Sequence, residues 1–269
     1  MKAKLIALCF SIIAFCCTNL QSQGQDLQRY TEYTYMKVKP ENRAEYIKLE
    51  KAWKKIHAAR KEAGRLDDWS LMELISPRGS ENDYDFVTRD SYLGKEKYAA
   101  TFSEATMPQY WQSLLTIEEI DLVLRTEQIR TIVKNETWNV SDVVWAADAT
   151  ATAEIYVFNY FKVPLGKTMA DHTKIEIDIW KPIHQARVNA NQMKGWVALD
   201  MMMPMGAFLP YSQATIDVYT DMNQFLNPWV DDYFKKVHPT KKMDDLLKLT
   251  RDNSTLIKSE IRRVVDRVH

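Results

Sequence analysis

The chain has 269 residues with 36 basic and 36 acidic side chains, and 46% of its residues are apolar. These are ordinary values for a globular protein, so they argue against a chain that is disordered throughout. A nucleic-acid-binding protein would usually carry a basic excess, so we expect no nucleic-acid partner. The length predicts one large domain or two small ones.

The first 24 residues have the pattern of an export signal. Lys2 and Lys4 precede an apolar run over residues 5–17, and a polar segment follows. This order is typical of a secretory signal peptide, and the run is too short to span a membrane. Small residues at Ser22 and Gly24 predict cleavage after residue 24. We therefore expect an exported protein, periplasmic or secreted.

All three cysteines lie inside this signal, at positions 9, 16 and 17. The mature chain would have no thiol, which excludes disulfides, thiolate metal sites and cysteine nucleophiles. Lipid attached to Cys16 or Cys17 is an alternative that the preceding residues, Phe15 and Cys16, fit poorly. No later stretch reaches 18 apolar residues, so we predict no transmembrane segment in the mature chain.

Apolar periodicity and turn residues predict the same order of elements twice. The first set comprises strand 32–38, helix 42–63, strands 69–76 and 84–92, a mostly helical stretch 95–126, and strand 130–140. A segment rich in Ala, Thr and Asp, 141–153, is the predicted linker. The second set comprises strand 155–163, helix 168–191, strands 196–203 and 211–219, a helical stretch 221–250, and strand 255–265.

The two sets also share sequence. Residues 53–60, WKKIHAAR, reappear 127 positions later as residues 180–187, WKPIHQAR. The same offset relates Trp69 to Trp196, Asp90 to Asp217 and Tyr92 to Tyr219, while offsets of 125 and 124 relate the first and last strands of each set. We therefore predict two tandem units, residues 28–140 and 154–269.

The order β-α-β-β-α-β defines a ferredoxin-like unit, so the predicted fold class is α+β. With its duplication, the order resembles the dimeric α/β-barrel superfamily, which includes antibiotic-biosynthesis-monooxygenase-like proteins. It is also similar to a group of exported bacterial proteins of unknown activity. The resemblance implies that both units pair their sheets into one barrel within the chain. The superfamily includes cofactor-free monooxygenases, haem-binding chlorite dismutase-like proteins and isomerases, and several hold ligand between helix and sheet.

One face of the first helix is the candidate site. At 100° per residue, Trp53, Ile56, His57 and Arg60 fall on one apolar face, and most lysines fall opposite. The second copy repeats this face with Trp180, His184 and Arg187. A buried arginine keeps its charge, so it requires a partner, water or a ligand.

Asp90 and its counterpart Asp217 are the nearest predicted partners of these arginines, because each alternates with a tyrosine along the third strand of its unit. The repeated Arg–Asp pair has two interpretations. It either fixes how helix and sheet dock, or it contributes to a pocket for a small anionic or aromatic ligand. The complete candidate set is Tyr35, Trp53, His57, Arg60 and Asp90, with Tyr160, Trp180, His184, Arg187 and Asp217 in the second copy.

The lone histidine on each helix face lacks a second ligand at metal-binding spacing, so we predict no metal site and no resident cofactor. His172 has no counterpart in the first copy, and we expect it at the surface.

The leading hypothesis is an exported small-molecule-binding protein with pockets between the first helix and the sheet. One alternative is a cofactor-independent monooxygenase or isomerase, with His57 or His184 as acid/base and Arg60 or Arg187 holding an oxyanion. Another is a structural module whose Arg–acid pairs only stabilise it. The sequence does not identify catalytic residues, and a homodimer is compatible with each hypothesis.

Overall fold

Eight antiparallel strands close into a barrel in the computed structural model, which describes residues 28–77, 79, 82–102, 113–206, 208–227 and 232–268. The predicted signal peptide lies outside these residues. The strands are β1 (Arg29–Lys37), β2 (Asp68–Ser76), β3 (Phe86–Leu93), β4 (Thr131–Trp145), β5 (Ile155–Lys162), β6 (Gly195–Met203), β7 (Gln213–Tyr219) and β8 (Thr255–Val268).

Around the barrel the strands follow the order β1-β3-β2-β8-β5-β7-β6-β4. The first four strands are therefore adjacent to one another, as are the last four. Two antiparallel seams join these groups, β2 with β8 and β4 with β6. Because every strand has a neighbour on both sides, the barrel leaves no open sheet edge.

Helices cover the outside of the barrel. In the first half they are α1 (Arg43–Glu62), α2 (Lys95–Ala100), α3 (Ile117–Leu124) and α4 (Thr126–Ile129). The later helices are α5 (Ala149–Thr152), α6 (Met169–Ile175), α7 (Lys181–Asn189), α8 (Met222–Leu226), α9 (Tyr233–Val237) and α10 (Met243–Asn253). None of the helices in the described ranges is long and apolar enough to span a membrane.

A π-helical turn over Glu176–Trp180 joins α6 to α7 in one continuous helix. Pro182 follows this turn, and proline has no N–H to donate to the carbonyl four residues earlier. The backbone widens immediately before it. The predicted single helix 168–191 is therefore present, with a local change of pitch.

Side chains alternate between the barrel interior and the face under the helices, as expected for strands. In β3, Val87 belongs to the interior cluster, whereas Phe86 and Tyr92 pack beneath the helices. The two faces form separate apolar cores. A side chain on one face is thus separated by the sheet from the helix-covered space on the other.

The predicted boundaries differ from the structure mainly at the linker. Strand β4 continues to Trp145, because residues 142–145 pair with residues 195–198 of β6. The connection is therefore shorter than the predicted 141–153. The helical stretches predicted at 95–126 and 221–250 contain short separate helices, and their segments 103–112 and 228–231 lie outside the described residues.

Candidate functional site

In the first half, Arg60 projects from α1 onto the outer face of β3. Its Nη1 donates a hydrogen bond to Asp90 Oδ2 at 2.9 Å, and its Nη2 donates to the Tyr92 hydroxyl at 3.2 Å. Tyr92 in turn donates to Asp90 Oδ2 at 3.1 Å. Helix and sheet are thus joined by a closed triangle of polar contacts, and Asp90 raises the pKa of Arg60 further above its usual range although burial opposes this.

His57 lies beside this triangle with its ring stacked on Trp69, at a centroid distance of 5.1 Å. Its Nδ1 is 3.2 Å from Arg60 Nη1. Burial lowers the pKa of His57 to about 4, because the attraction of Asp90 only partly offsets the loss of water. The imidazole is therefore neutral at neutral pH.

The second half repeats the arginine–tyrosine and histidine–tryptophan contacts and differs in the surroundings of its aspartate, Asp217. Arg187 donates to the Tyr219 hydroxyl at 3.2 Å, and His184 stacks on Trp196 at 5.4 Å. Burial, together with the charge of Arg187, lowers the pKa of His184 to about 3. Burial raises the pKa of Asp217 to about 6, and its Oδ1 has no hydrogen-bond partner among the described residues.

Tyr35 and Tyr160 do not join these clusters. Both point into the barrel, where their hydroxyls lie 3.3 Å apart. The prediction that Tyr35 meets His57 and Arg60 in one pocket is therefore wrong, because the sheet separates them. Trp53 and Trp180 do lie beside the histidines, with ring centroids 6.2 and 6.5 Å from His57 and His184. Whether any of the ten candidates touches a ligand stays a prediction.

A polar network surrounds the two inward tyrosines. Glu136 accepts hydrogen bonds from Tyr35 and Tyr211, both at 2.7 Å. Glu260 accepts from Tyr84 and from Arg262, the latter at 2.7 Å. Burial favours protonation of Glu260, yet the charges of Arg262 and Lys258 lower its pKa to about 2.

Arg262 is fully buried at the centre of this network. Its guanidinium carbon lies 3.8 Å from the ring centroid of Phe158 and 5.2 Å from that of Tyr35. It also donates to the Tyr160 hydroxyl. Its charge is thus matched by Glu260 and by aromatic faces, so the barrel interior holds a paired guanidinium.

One end of the barrel contains a cavity of about 620 Å³. Val143 and Trp145 lie at its rim and keep 38% and 40% exposure, so it is accessible from solvent. The residues that line it are Arg29, Thr31, Tyr33, Lys61, Asp67, Asp68, Ser70, Arg89, Ser91, Val140, Val143, Trp145, Tyr156, Val197, Leu199, Ile216, Val264 and Arg267. None of these belongs to the ten predicted site residues.

Sequence reasoning missed this cavity because it concentrated on the face of β3 that carries Asp90. Arg89 and Ser91 alternate on the opposite face, and their polar character was the available signal. The expected surface position of His172 is also wrong. It is buried, with Nδ1 at 2.8 Å from Gln213 and Nε2 at 3.2 Å from Glu176.

Neither repeated histidine suits a haem iron. An axial ligand needs porphyrin-sized space beside one ring nitrogen. The His57 and His184 side chains are 13% and 8% exposed and lie flat on tryptophans. Within the described part of the chain, no three His, Cys, Asp or Glu side chains cluster so as to hold a metal ion.

No protein-family model and no curated protein matches this chain. Several solved structures do. A proposed monooxygenase from Fusobacterium nucleatum is 12% identical, with a TM-score of 0.53 over 90% of this chain and 94% of its own. An anthrone oxidase-like protein is 11% identical, with a TM-score of 0.53 and coverages of 91% and 94%.

A proposed monooxygenase from Lactobacillus acidophilus is 12% identical, with a TM-score of 0.53 and coverages of 89% and 94%. The fold is the dimeric α/β barrel. At these identities the likeness shows the fold and does not show the activity.

Proposed function

We propose that this chain is a small-molecule-binding protein whose ligand lies in the cavity at the end of the barrel. The observation that carries the proposal is the cavity itself, about 620 Å³ in volume, with a mixed wall of apolar and charged side chains. Ligand sites in proteins have volumes of roughly 300 to 1,000 Å³ and combine apolar walls with a few polar groups. The cavity meets both criteria.

The contacts under the helices support this location over the pocket between helix and sheet that the sequence suggested. Arg60 already bonds Asp90 and Tyr92, and His57 lies flat on Trp69. A ligand at this point would have to displace a charged hydrogen bond in a mostly buried setting, which costs about 1.5 to 3 kcal/mol. The repeated polar set is better explained as the means by which helix and sheet dock.

The enzyme hypothesis requires a histidine that exchanges protons near neutral pH. The pKa values of His57 and His184, lowered by burial to about 4 and about 3, make both rings weak bases. Binding without catalysis is therefore the function that we propose.

Native mass spectrometry of protein purified from its host tests the proposal. We expect a retained small molecule on the wild type and on Val133→Trp, which adds the same bulk at an exposed position. Val197→Trp fills the cavity and should lose that molecule, with thermal melts confirming that both variants fold. Retention of the same molecule by Val197→Trp, or a wild-type protein that carries none, would contradict the proposal.

We also propose that the chain arose by duplication of a half-length unit. The repeated sequence offsets support this origin, as does the matching strand order β4-β1-β3-β2 and β8-β5-β7-β6. A homodimer stays a prediction.

Export of the mature protein is likewise a proposal, supported by the charged and apolar segments of the first 24 residues. Amino-terminal sequencing of the protein from its host should give Gln25 as the first residue. An intact Met1 would contradict export by this signal.

A further inference from the structure

We propose that the ligand is an amphipathic carboxylate, held with its charged end at Arg29 and its apolar body along the opposite wall of the barrel-end cavity. This inference rests on the proposed function, because it assigns the chemistry of that same cavity. Two observations carry it: the two walls of the cavity differ in polarity, and the acidic side chains of the polar wall already have cationic partners.

The cavity has one polar wall and one apolar wall. The polar wall comes mainly from β1, β2 and β3, and the apolar wall comes mainly from β4, β6 and β7. Positions related by the sequence offsets face each other with opposite character: Thr31 and Tyr156, Ser70 and Val197, Arg89 and Ile216. A ligand that fills this space meets hydrogen-bond donors on one side and hydrocarbon on the other.

The repeated arginine–tyrosine contacts under the helices do not show this difference. There both halves carry the same side chains, with Arg60 and Arg187 bonded to Tyr92 and Tyr219. The two halves therefore agree at these arginine and tyrosine positions, whereas the offset-related positions that line the cavity differ in polarity. A difference in polarity between two walls of an open cavity is what an asymmetric ligand requires.

The acids of the polar wall already have cationic partners. Asp68 is paired with Arg89, and Asp67 accepts from Lys97 at 2.6 Å and from the backbone N–H of Leu93. Neither carboxylate therefore needs Arg29. The Nε of Arg89 is buried and lacks a hydrogen-bond partner among the described residues, so this wall retains unused donor capacity.

Three further cations line the cavity besides Arg89, and we assign Arg29 to the ligand, because Lys61 and Arg267 donate to the backbone carbonyls of Asp67 and Ala153. The Nη1 of Arg29 donates to the Ser91 hydroxyl at 3.2 Å, and within the described ranges no carboxylate lies within 4.0 Å of it. Burial lowers the pKa of Arg29, which reflects a guanidinium that has lost part of its water. A carboxylate that replaced the lost water would form a charge-assisted ion pair with Arg29. Guanidinium and carboxylate groups can join through two parallel N–H···O bonds.

The test uses decanoate and decan-1-ol as probes, because they share one chain and differ in the charged group. Isothermal titration on the full wild-type protein should show decanoate binding at least about tenfold more tightly than decan-1-ol. Arg29→Met should remove this preference by weakening decanoate about tenfold and leaving decan-1-ol unchanged. Arg29→Lys should retain most of the preference.

Two control variants distinguish an effect of the Arg29 charge inside the cavity from an effect of the protein's overall charge or of the apolar wall. Arg263→Met removes one positive charge from the exposed surface, where the side chain is 53% exposed, and should change neither affinity. Ile216→Ser makes the apolar wall polar and should weaken both probes alike. Thermal melts establish that each variant is folded before its affinities are compared.

Equal affinities of the two probes, or a preference that survives in Arg29→Met, would overturn the carboxylate inference while the cavity remains a binding site. Wild-type protein that binds neither probe also overturns it. In that case the molecule retained in native mass spectrometry, and its loss in Val197→Trp, decides the proposed function independently.

Discussion

The hydroxyl oxygens of Tyr35 and Tyr160 lie 3.3 Å apart inside the barrel, although 125 residues separate them in the chain. Tyr35 also donates to Glu136 at 2.7 Å, and Tyr160 accepts from the buried Arg262. The two halves therefore meet through a polar contact as well as through their strand seams. We expect the hydrogen bonds of Tyr35 to contribute to the free energy of unfolding.

Tyr35→Phe should lower the free energy of unfolding by about 1 to 2 kcal/mol, because the buried Glu136 carboxylate loses a hydrogen-bond donor. Urea denaturation measures the loss. The matched control is Tyr33→Phe, since Phe158 already occupies the position 125 residues later. Equal losses in the two variants would mean that the Tyr35 hydroxyl contributes nothing specific.

Arg60→Met should lower the melting temperature by about 5 °C, because it leaves the Asp90 carboxylate without its cation. The double variant Arg60→Met/Asp90→Asn should recover part of this loss, since no uncompensated charge remains. Thermal melts followed by circular dichroism measure both. An unchanged melting temperature in Arg60→Met would show that the pair does not dock helix and sheet.

Asp217→Asn should stabilise the protein at pH 7.5, by about 1 to 2 kcal/mol. Burial raises the pKa of Asp217 to about 6, above its unfolded value of about 3.9, so ionisation in the folded state costs free energy. This cost is fully present above pH 6, declines as the pH falls from 6 towards 3.9, and vanishes below. Unfolding at pH 7.5 and pH 4 should therefore show a gain that disappears at the lower pH.

Asp90→Asn is the matched variant in the other half. Asp90 accepts from Arg60 at 2.9 Å, so its removal should destabilise the protein at pH 7.5. We thus expect an aspartate-to-asparagine substitution to change protein stability in opposite directions at two positions related by the sequence offset. Destabilisation of comparable size at both positions would show that Asp217 is ion-paired as fully as Asp90.

Glu260→Gln should destabilise the protein at neutral pH by on the order of 2 kcal/mol, because Arg262 then lacks its carboxylate. Burial opposes ionisation, but Arg262 and Lys258 lower the folded pKa of Glu260 to about 2. Its stabilising contribution is present above the unfolded pKa of about 4.3 and is lost as the pH falls through 2.

The difference between wild type and Glu260→Gln should accordingly narrow between pH 4.5 and pH 2.5 in thermal melts. Glu62→Gln, at an exposed position at the end of α1, should leave the melting temperature unchanged at both pH values. A gap between wild type and Glu260→Gln that stays constant with pH would contradict the assigned ionisation.

The sequence predicted the order of strands and helices, and the closed α+β barrel confirms the coarse fold. It also predicted the Arg60–Asp90 contact, because helical and strand periodicities each assign one side chain to the shared face. Tyr35 was placed on the wrong face for a physical reason. Strand β1 carries tyrosines at both phases of its alternation, and its pairing with β4 shifts between Tyr35 and Met36.

The barrel-end cavity could not be predicted from local patterns. Its wall forms only when β2 pairs with β8 and β4 with β6, which brings together lining residues such as Ser70 and Arg267, nearly 200 positions apart. The closure and curvature of the barrel then determine the volume of the cavity. His172 was misassigned for a related reason, since Gln213, which buries it, lies on a distant strand.

A barrel assembled from two identical chains has a two-fold axis running through it, and each residue that faces this axis appears twice. Such an assembly cannot place Arg89 on one wall and Ile216 at the related point of the other. Because a single polypeptide supplies both walls here, each wall can change without altering its counterpart. A single chain can therefore give the lumen a difference in polarity that an isologous pair of identical chains cannot have.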